Sequence, residues 1–170
     1  MHQKLVSQKN TALLEYIDTG VSMKATRAAT ITNKYIKNPD YYRKLEAFGQ
    51  WDGDDRCPDG CCGFTGLNML ISYHDKYKND NIMDDNYWVD NSNKTKMKAG
   101  KYSLTKHLFE LAPKATTTSM HIHSVMKLYL KERNMSVNHY SYYWGVFNDS
   151  TVRSFIEKDV PVELFCSIQD

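Results

Sequence analysis

The apolar run that begins at two adjacent cysteines constrains the fold more than any other feature of the sequence. Its large side chains recur every three or four residues: Phe64, Leu67, Leu70, Ile71 and His74. This spacing places them on one face of a helix. The preceding residues 49–63 are rich in Gly and Asp and contain a proline, which predicts a loop. We therefore expect a central buried helix from Cys62 to Lys78.

Further helices are predicted from periodicity and from capping residues. They cover residues 13–17, 23–36, 41–48, 103–111, 119–133 and 149–156. Ser103 is the expected cap of the fourth of these helices, and Thr118 or Ser119 of the fifth. Between the central helix and residue 102, the polar stretch 79–101 predicts a long surface excursion.

Strands are predicted only late in the chain. "SVNHYSYYW", residues 136–144, is rich in β-forming residues, and "VPVELFCSIQ", residues 160–169, alternates apolar and polar side chains. In the second stretch Val162, Leu164, Cys166 and Ile168 are expected to face the core. Helices first and strands last predict an α+β fold. The length of 170 residues suits one domain.

Charge and hydropathy exclude several classes of protein. The 22 Lys and Arg residues are interspersed with 20 Asp and Glu residues, for a net charge of +2, so we expect no nucleic-acid partner. No apolar run approaches the ~20 residues that a membrane span needs. The first residues, MHQKLVSQKN, lack the apolar core of a signal peptide.

The position of Cys61 and Cys62 at a helix start indicates nucleophilic chemistry. The reactive form of a cysteine is the thiolate, which the unpaired N–H groups and positive dipole end of a first helical turn favour. Gly60 and Gly63 would let the backbone turn sharply, and Gly66 would keep the helix face one turn below clear. One cysteine of the pair is therefore a candidate nucleophile.

Other roles for the cysteines stay open at this point. Both could be small buried apolar residues. Cys57 could form a disulfide with Cys61, and Cys166 could also pair. Zinc could be bound by Cys57, Cys61, Cys62 and His74, although the C-x3-C-C spacing is not typical of zinc sites. The acidic residues 52–59 lack the regular oxygen ligands of a calcium loop. We expect no metal and no cofactor.

"CCGFTGLNMLISYHDKY", residues 61–77, resembles the nucleophile helix of the papain-like cysteine peptidases. The similarity is closest to the bacterial branch with the bacteriocin-leader peptidases and streptopain-like enzymes. That helix typically reads Cys-Gly-Pro-Thr, then a small residue, then Met, apolar residues and Tyr. The matching residues are Cys62, Gly63, Thr65, Gly66, Met69 and Tyr73, with Phe64 in place of the proline. A weaker similarity of element order continues to "KDVPVELFCSIQ".

The resemblance implies a papain-like domain over residues 1–170 whose central helix packs on an antiparallel sheet that the chain only begins. It implies hydrolysis of peptide or amide bonds through a thioester on Cys62. The usual position of the oxyanion Gln holds Arg56, so Gln50 is the candidate. The family's catalytic His would follow Asp170, which predicts that this chain alone is inactive. His139 is the main internal candidate for the base.

Two further implications concern partners and location. The expected substrate is a peptide or protein, and a secreted or cell-surface location is slightly favoured over the cytoplasm.

His121 and His123 lie on a predicted helix, where an exposed histidine is the default expectation. The alternative to an enzyme is a non-catalytic interaction module in which the cysteines are structural.

Overall fold

The computed structural model describes residues 33–45, 61–114, 118–135 and 149–165. Contacts divide the chain into two compact units, Met1–Asn33 and Lys34–Asp170. Of the first unit only Asn33 is described, so all that follows concerns the second. Within the described ranges no helix is both long and apolar enough to cross a membrane.

Five α-helices lie in the described part of the second unit. They are α1 (Tyr41–Lys44), α2 (Cys62–Tyr77), α3 (Leu104–Leu111), α4 (Ser119–Glu132) and α5 (Asp149–Glu157). Ser103 Oγ accepts a hydrogen bond from Lys106 N at 3.1 Å, and Thr118 Oγ1 accepts one from His121 N at 3.3 Å. These N-caps satisfy backbone donors that the first turn leaves unpaired. The predictions for α2, α3 and α4 are confirmed to within one residue at each end.

The core forms where α2, α3 and α4 pack on one another. The centre of α2 is buried at Phe64, Leu67 and Ile71, which meet Leu104 and Leu108 of α3 in one apolar cluster. These α2 residues recur at helical spacing, so one side of the helix enters the core. In the described ranges the apolar face of α2 therefore packs against helices and the segment that follows α2, where a sheet was expected.

Residues 79–101 were predicted to run over the surface, but part of this polar stretch enters the core. Met83, Trp88 and Met97 are fully buried within residues 79–99. An isolated antiparallel bridge joins Trp88 to Met97. Asp75 of α2 accepts hydrogen bonds from Met83 N at 2.9 Å and forms an ion pair with Lys94 at 2.6 Å. A buried carboxylate thus fastens this segment to α2.

A second buried carboxylate follows α5. Asp159 has a φ of 61°, a left-handed conformation that Asp tolerates better than most residues. Its Oδ1 accepts hydrogen bonds from Tyr73 at 2.6 Å and from Lys37 N at 2.7 Å, and its Oδ2 pairs with Lys78. These contacts tie the end of α5 to α2 and to the residues before α1.

The prediction of an α+β fold is wrong for the described residues, which contain α-helices, two short 3-10 helices and an isolated bridge but no strand. Residues 160–165 form no regular secondary structure, and their backbone enters no ladder. Alternation alone does not make a strand, because a strand exists only when a neighbouring backbone pairs with it. Pro161 also lacks the N–H that a ladder requires.

The prediction that Leu164 faces the core is wrong, whereas Val162 is half-buried and Cys166 and Ile168 lie outside the described residues. Leu164 is 56% exposed and Phe165 38% exposed, whereas Glu163 lies against α2. The predicted helix 23–36 does not reach its expected end, because residues 33–36 are not helical. The remainder of that helix, the helix at 13–17, and the strand at 136–144 lie outside the described residues.

Candidate nucleophile site at the start of the central helix

The candidate site is built on the first turn of α2. Cys61 is the N-cap, and the first helical hydrogen bond runs from Thr65 N to Cys61 O at 3.0 Å. The N–H groups of the first turn have no acceptor within the helix and point outward at this end of α2. Cys62, the first helical residue, presents its side chain beside this end of α2.

The two thiols differ sharply in burial. Cys61 is 1% exposed and belongs to the core cluster, whereas Cys62 is exposed. Successive residues of a helix point about 100° apart, which is why adjacent cysteines meet different surroundings. Only the second thiol is therefore positioned to meet a molecule from solvent.

Gly66 forms a notch one turn along α2 from Cys62. A Cβ placed on Gly66 would lie 2.5 Å from Cδ of Glu163, closer than non-bonded carbon atoms approach, and 3.2 Å from its Cγ, which is a tight contact. The segment 160–165 therefore places the Glu163 carboxyl directly against the helix backbone at Gly66. No other residue type leaves this space, since every other side chain begins with the Cβ that would collide.

The Glu163 carboxyl is in an unusual electrostatic environment. Burial raises its pKa to about 8, because a carboxylate loses hydration in this position. Within the described ranges it has no ion-pair or hydrogen-bond partner that would offset this loss. At neutral pH the group is mainly a neutral carboxylic acid, which can donate a proton.

The opposite face of the same turn is apolar. Phe64 is fully buried and meets the rings of Phe109 and His121 edge-on, at centroid distances of 5.6 and 5.8 Å. Residues 62 and 64 point about 200° apart on a helix. His121 therefore lies on the side of α2 away from Cys62. Its Nε2 donates to Ala112 O at 2.9 Å, since a carbonyl can only accept.

Among the remaining predicted site residues, the structure describes His123. His123 is half-buried on α4, where burial and then the nearby Lys127 lower its pKa. Gln50, Arg56 and His139 lie outside the described residues, so their roles stay predictions. The same holds for Cys57 and Cys166 and hence for the predicted disulfides.

A zinc ion shared by the α2 cysteines and His74 is geometrically impossible. His74 follows Cys62 by twelve residues on one straight helix, which separates them by about 18 Å at 1.5 Å per residue. Zinc ligands lie about 2.0–2.3 Å from the metal. Within the described ranges no group of three His, Cys, Asp or Glu side chains could hold a metal ion.

Glu163 is the one member of the site that the sequence analysis missed. Alternation in "VPVELF" placed it on the solvent side, opposite Val162 and Leu164. The only local signal was Gly66, because a glycine inside a buried helix often marks the close approach of another group. The sequence does not say which group approaches.

Known proteins offer no independent guide to this site. No protein-family model, curated protein or solved structure matches the chain.

Proposed function

We propose that this chain supplies the nucleophile, Cys62, of a cysteine-dependent hydrolase of peptide or amide bonds. The observation that carries the proposal is the opposite burial of two neighbouring thiols, Cys61 inside the core and Cys62 exposed at the first residue of α2. A nucleophile must reach a substrate carbonyl, whereas structural cysteines are usually buried. Cys62 suits the first role and Cys61 the second.

The proposed reaction has two stages. The Cys62 thiolate attacks the carbonyl carbon and the amine leaves, so that the acyl group remains on sulfur as a thioester. Water then releases the acid and regenerates the thiol. Backbone N–H groups at the start of α2, including that of Cys62, would donate to the carbonyl oxygen as negative charge develops on it.

Two further roles are assigned to residues outside the described ranges. Gln50 would supply a side-chain donor to the same oxygen. A histidine would take the proton of the Cys62 thiol, and His139 is the candidate within this sequence.

Trapping of the acyl-enzyme tests the proposal. Reduced protein is incubated with the 4-nitrophenyl ester of an acetylated dipeptide, and intact mass and peptide mapping locate the acyl group. We expect a single adduct on Cys62 that is lost in Cys62→Ala. Cys61→Ala is the matched control, since it removes the adjacent buried thiol and should keep the adduct. No adduct, or one spread over lysines and both cysteines, would overturn the proposal.

A non-catalytic interaction module is the second candidate, and the burial of Cys61 in the core is the observation that favours it. A purely structural pair gives Cys62 no reason to exceed an ordinary thiol in reactivity. The acylation rate of Cys62 is therefore compared with that of glutathione at equal pH. A rate no greater than that of glutathione supports the module, and a much faster rate supports the hydrolase.

A further inference from the structure

The contact between Glu163 and Gly66 places an acid beside the candidate nucleophile. Gly66 follows Cys62 by four residues, so the two lie on one face of α2 with about 5–6 Å between their Cβ positions. Helical side chains lean toward the N-terminus. The space that a side chain at residue 66 would fill, and that Glu163 occupies instead, therefore lies on the Cys62 side of the glycine.

The placement suits a group that acts on a substrate bound at Cys62. When the sulfur attacks the carbonyl carbon of a planar amide, the amide nitrogen lies about one bond length from that carbon. The Glu163 carboxyl lies against Gly66, about one helical turn from Cys62, so the leaving nitrogen of a substrate that extends along α2 toward Gly66 would approach it. It comes from the segment 160–165 and not from α2, so it can flank a bound substrate from the side.

The state of the carboxyl fits the same role. A proton donor has to be protonated at the working pH, and it is most effective when its pKa lies near that pH. Burial raises the pKa of Glu163 to about 8, so the acid form predominates at pH 7. An exposed Glu, with a pKa near 4.3, would be almost entirely ionised there.

We propose that Glu163 is the proton donor to the leaving group when Cys62 is acylated. The inference rests on the proposed function, because it assigns a second catalytic residue to the same reaction. It is independent of which residue removes the proton of the thiol.

The proton balance of the two stages is complete. In acylation the C–S bond forms, the C–N bond breaks and the Glu163 proton moves to the amine nitrogen, which leaves a thioester and a carboxylate. In deacylation that carboxylate takes a proton from the attacking water as the C–O bond forms. The C–S bond then breaks, Cys62 departs as thiolate and regains its proton from the base that removed it, and Glu163 is again an acid.

A leaving-group series tests the inference. Aryl esters with one acyl group and phenols of increasing basicity, from 4-nitrophenyl to 4-methoxyphenyl, are reacted with the wild-type protein at pH 7. A weakly basic phenol leaves as its anion and needs no proton, whereas a basic phenol needs one. Glu163→Gln keeps the size of the side chain but removes the transferable proton. Glu110→Gln is the matched control, since Glu110 is an exposed carboxyl on α3.

We expect Glu163→Gln to acylate at the wild-type rate with the 4-nitrophenyl ester. With the most basic phenol it should be slower by up to about 10²-fold, the lower end of what a positioned acid contributes. Glu110→Gln should follow the wild type throughout. Above the Glu163 pKa of about 8 the wild type should lose its advantage, because its donor is then ionised.

The outcomes separate this inference from the proposed function. An equal loss with every ester, or no loss with any, would overturn the role of Glu163, since a structural effect does not depend on the leaving group. Ester reactions that Cys62→Ala leaves unchanged would instead overturn the proposed function. A loss confined to basic phenols and absent above pH 8 supports both.

Discussion

Trp88 Nε1 donates a hydrogen bond to Asp75 Oδ2 at 3.0 Å, and both residues are fully buried. The same carboxylate binds the backbone of Met83 and the ammonium group of Lys94. One side chain of α2 therefore holds three points of the segment 79–99. The carboxylate is well satisfied, which is the condition under which a charge can remain inside a protein.

Asp75→Asn should lower the free energy of unfolding by about 3–5 kcal/mol, because it leaves the Lys94 charge near the core without its partner. Urea denaturation measures this loss. Hydrogen exchange should show the largest loss of protection in residues 83–97. Asp85→Asn, at an exposed position in the same segment, is the control and should change little. A double variant Asp75→Asn, Lys94→Met should recover part of the loss, and its failure to do so would contradict the ion-pair account.

Gly66→Ala should not stabilise α2, although alanine in a helix interior is normally favoured over glycine by roughly 0.5–1 kcal/mol. The added Cβ would displace the Glu163 carboxyl from its position on the helix. In a Glu163→Ala background the collision is absent, and Gly66→Ala should then stabilise the protein. Thermal unfolding of the wild type, the two single variants and the double variant gives the coupling energy between residues 66 and 163. Equal effects of Gly66→Ala in both backgrounds would show that the carboxyl does not occupy the notch.

Iodoacetamide should alkylate Cys62 well before Cys61 in the reduced, folded protein. Cys62 is exposed, whereas Cys61 can react only when the start of α2 opens, since it is 1% exposed. Peptide mass mapping over time gives the two rates. In denaturant the rates should converge, which provides the internal control. Equal rates in the folded protein would contradict the positions assigned to the two thiols.

Asp159 should make the protein sensitive to acid. Burial opposes its ionisation, but hydrogen bonds from Lys78, Tyr73 and Lys37 outweigh this and lower its pKa to about 2. The unfolded chain has an Asp pKa near 3.9, so the unfolded state binds the proton more readily. The stabilisation, roughly 2 kcal/mol, is complete above pH 4 and is lost as the pH falls toward 2.

Asp159→Asn tests that assignment because Asn also tolerates the left-handed backbone conformation. The variant should be less stable than the wild type at pH 6, and the difference should shrink as the pH falls from 4 toward 2. Urea midpoints at each pH measure it. A difference that does not depend on pH would point to packing and not to charge.

The helices were predictable because their signals are local. The apolar spacing after Cys62, the Ser103 cap and the Thr118 cap each involve residues a few positions apart, and the structure confirms all three. The same reasoning predicted that Gly66 keeps the face of α2 one turn below the cysteine clear. The group that occupies the space beside Gly66 could not be predicted, because Glu163 lies almost a hundred residues later in the chain.

The sequence by itself determined where α2 begins and that its first residue is a cysteine, since helix starts depend on nearby residues. Tertiary structure decided which thiol is buried, how Trp88 and Met97 enter the core, and what residues 160–165 contact. Alternation in that segment suggested a strand with Leu164 inside. A backbone that pairs with no neighbouring strand is instead positioned by side-chain contacts, and Glu163 took the space that Gly66 leaves on α2.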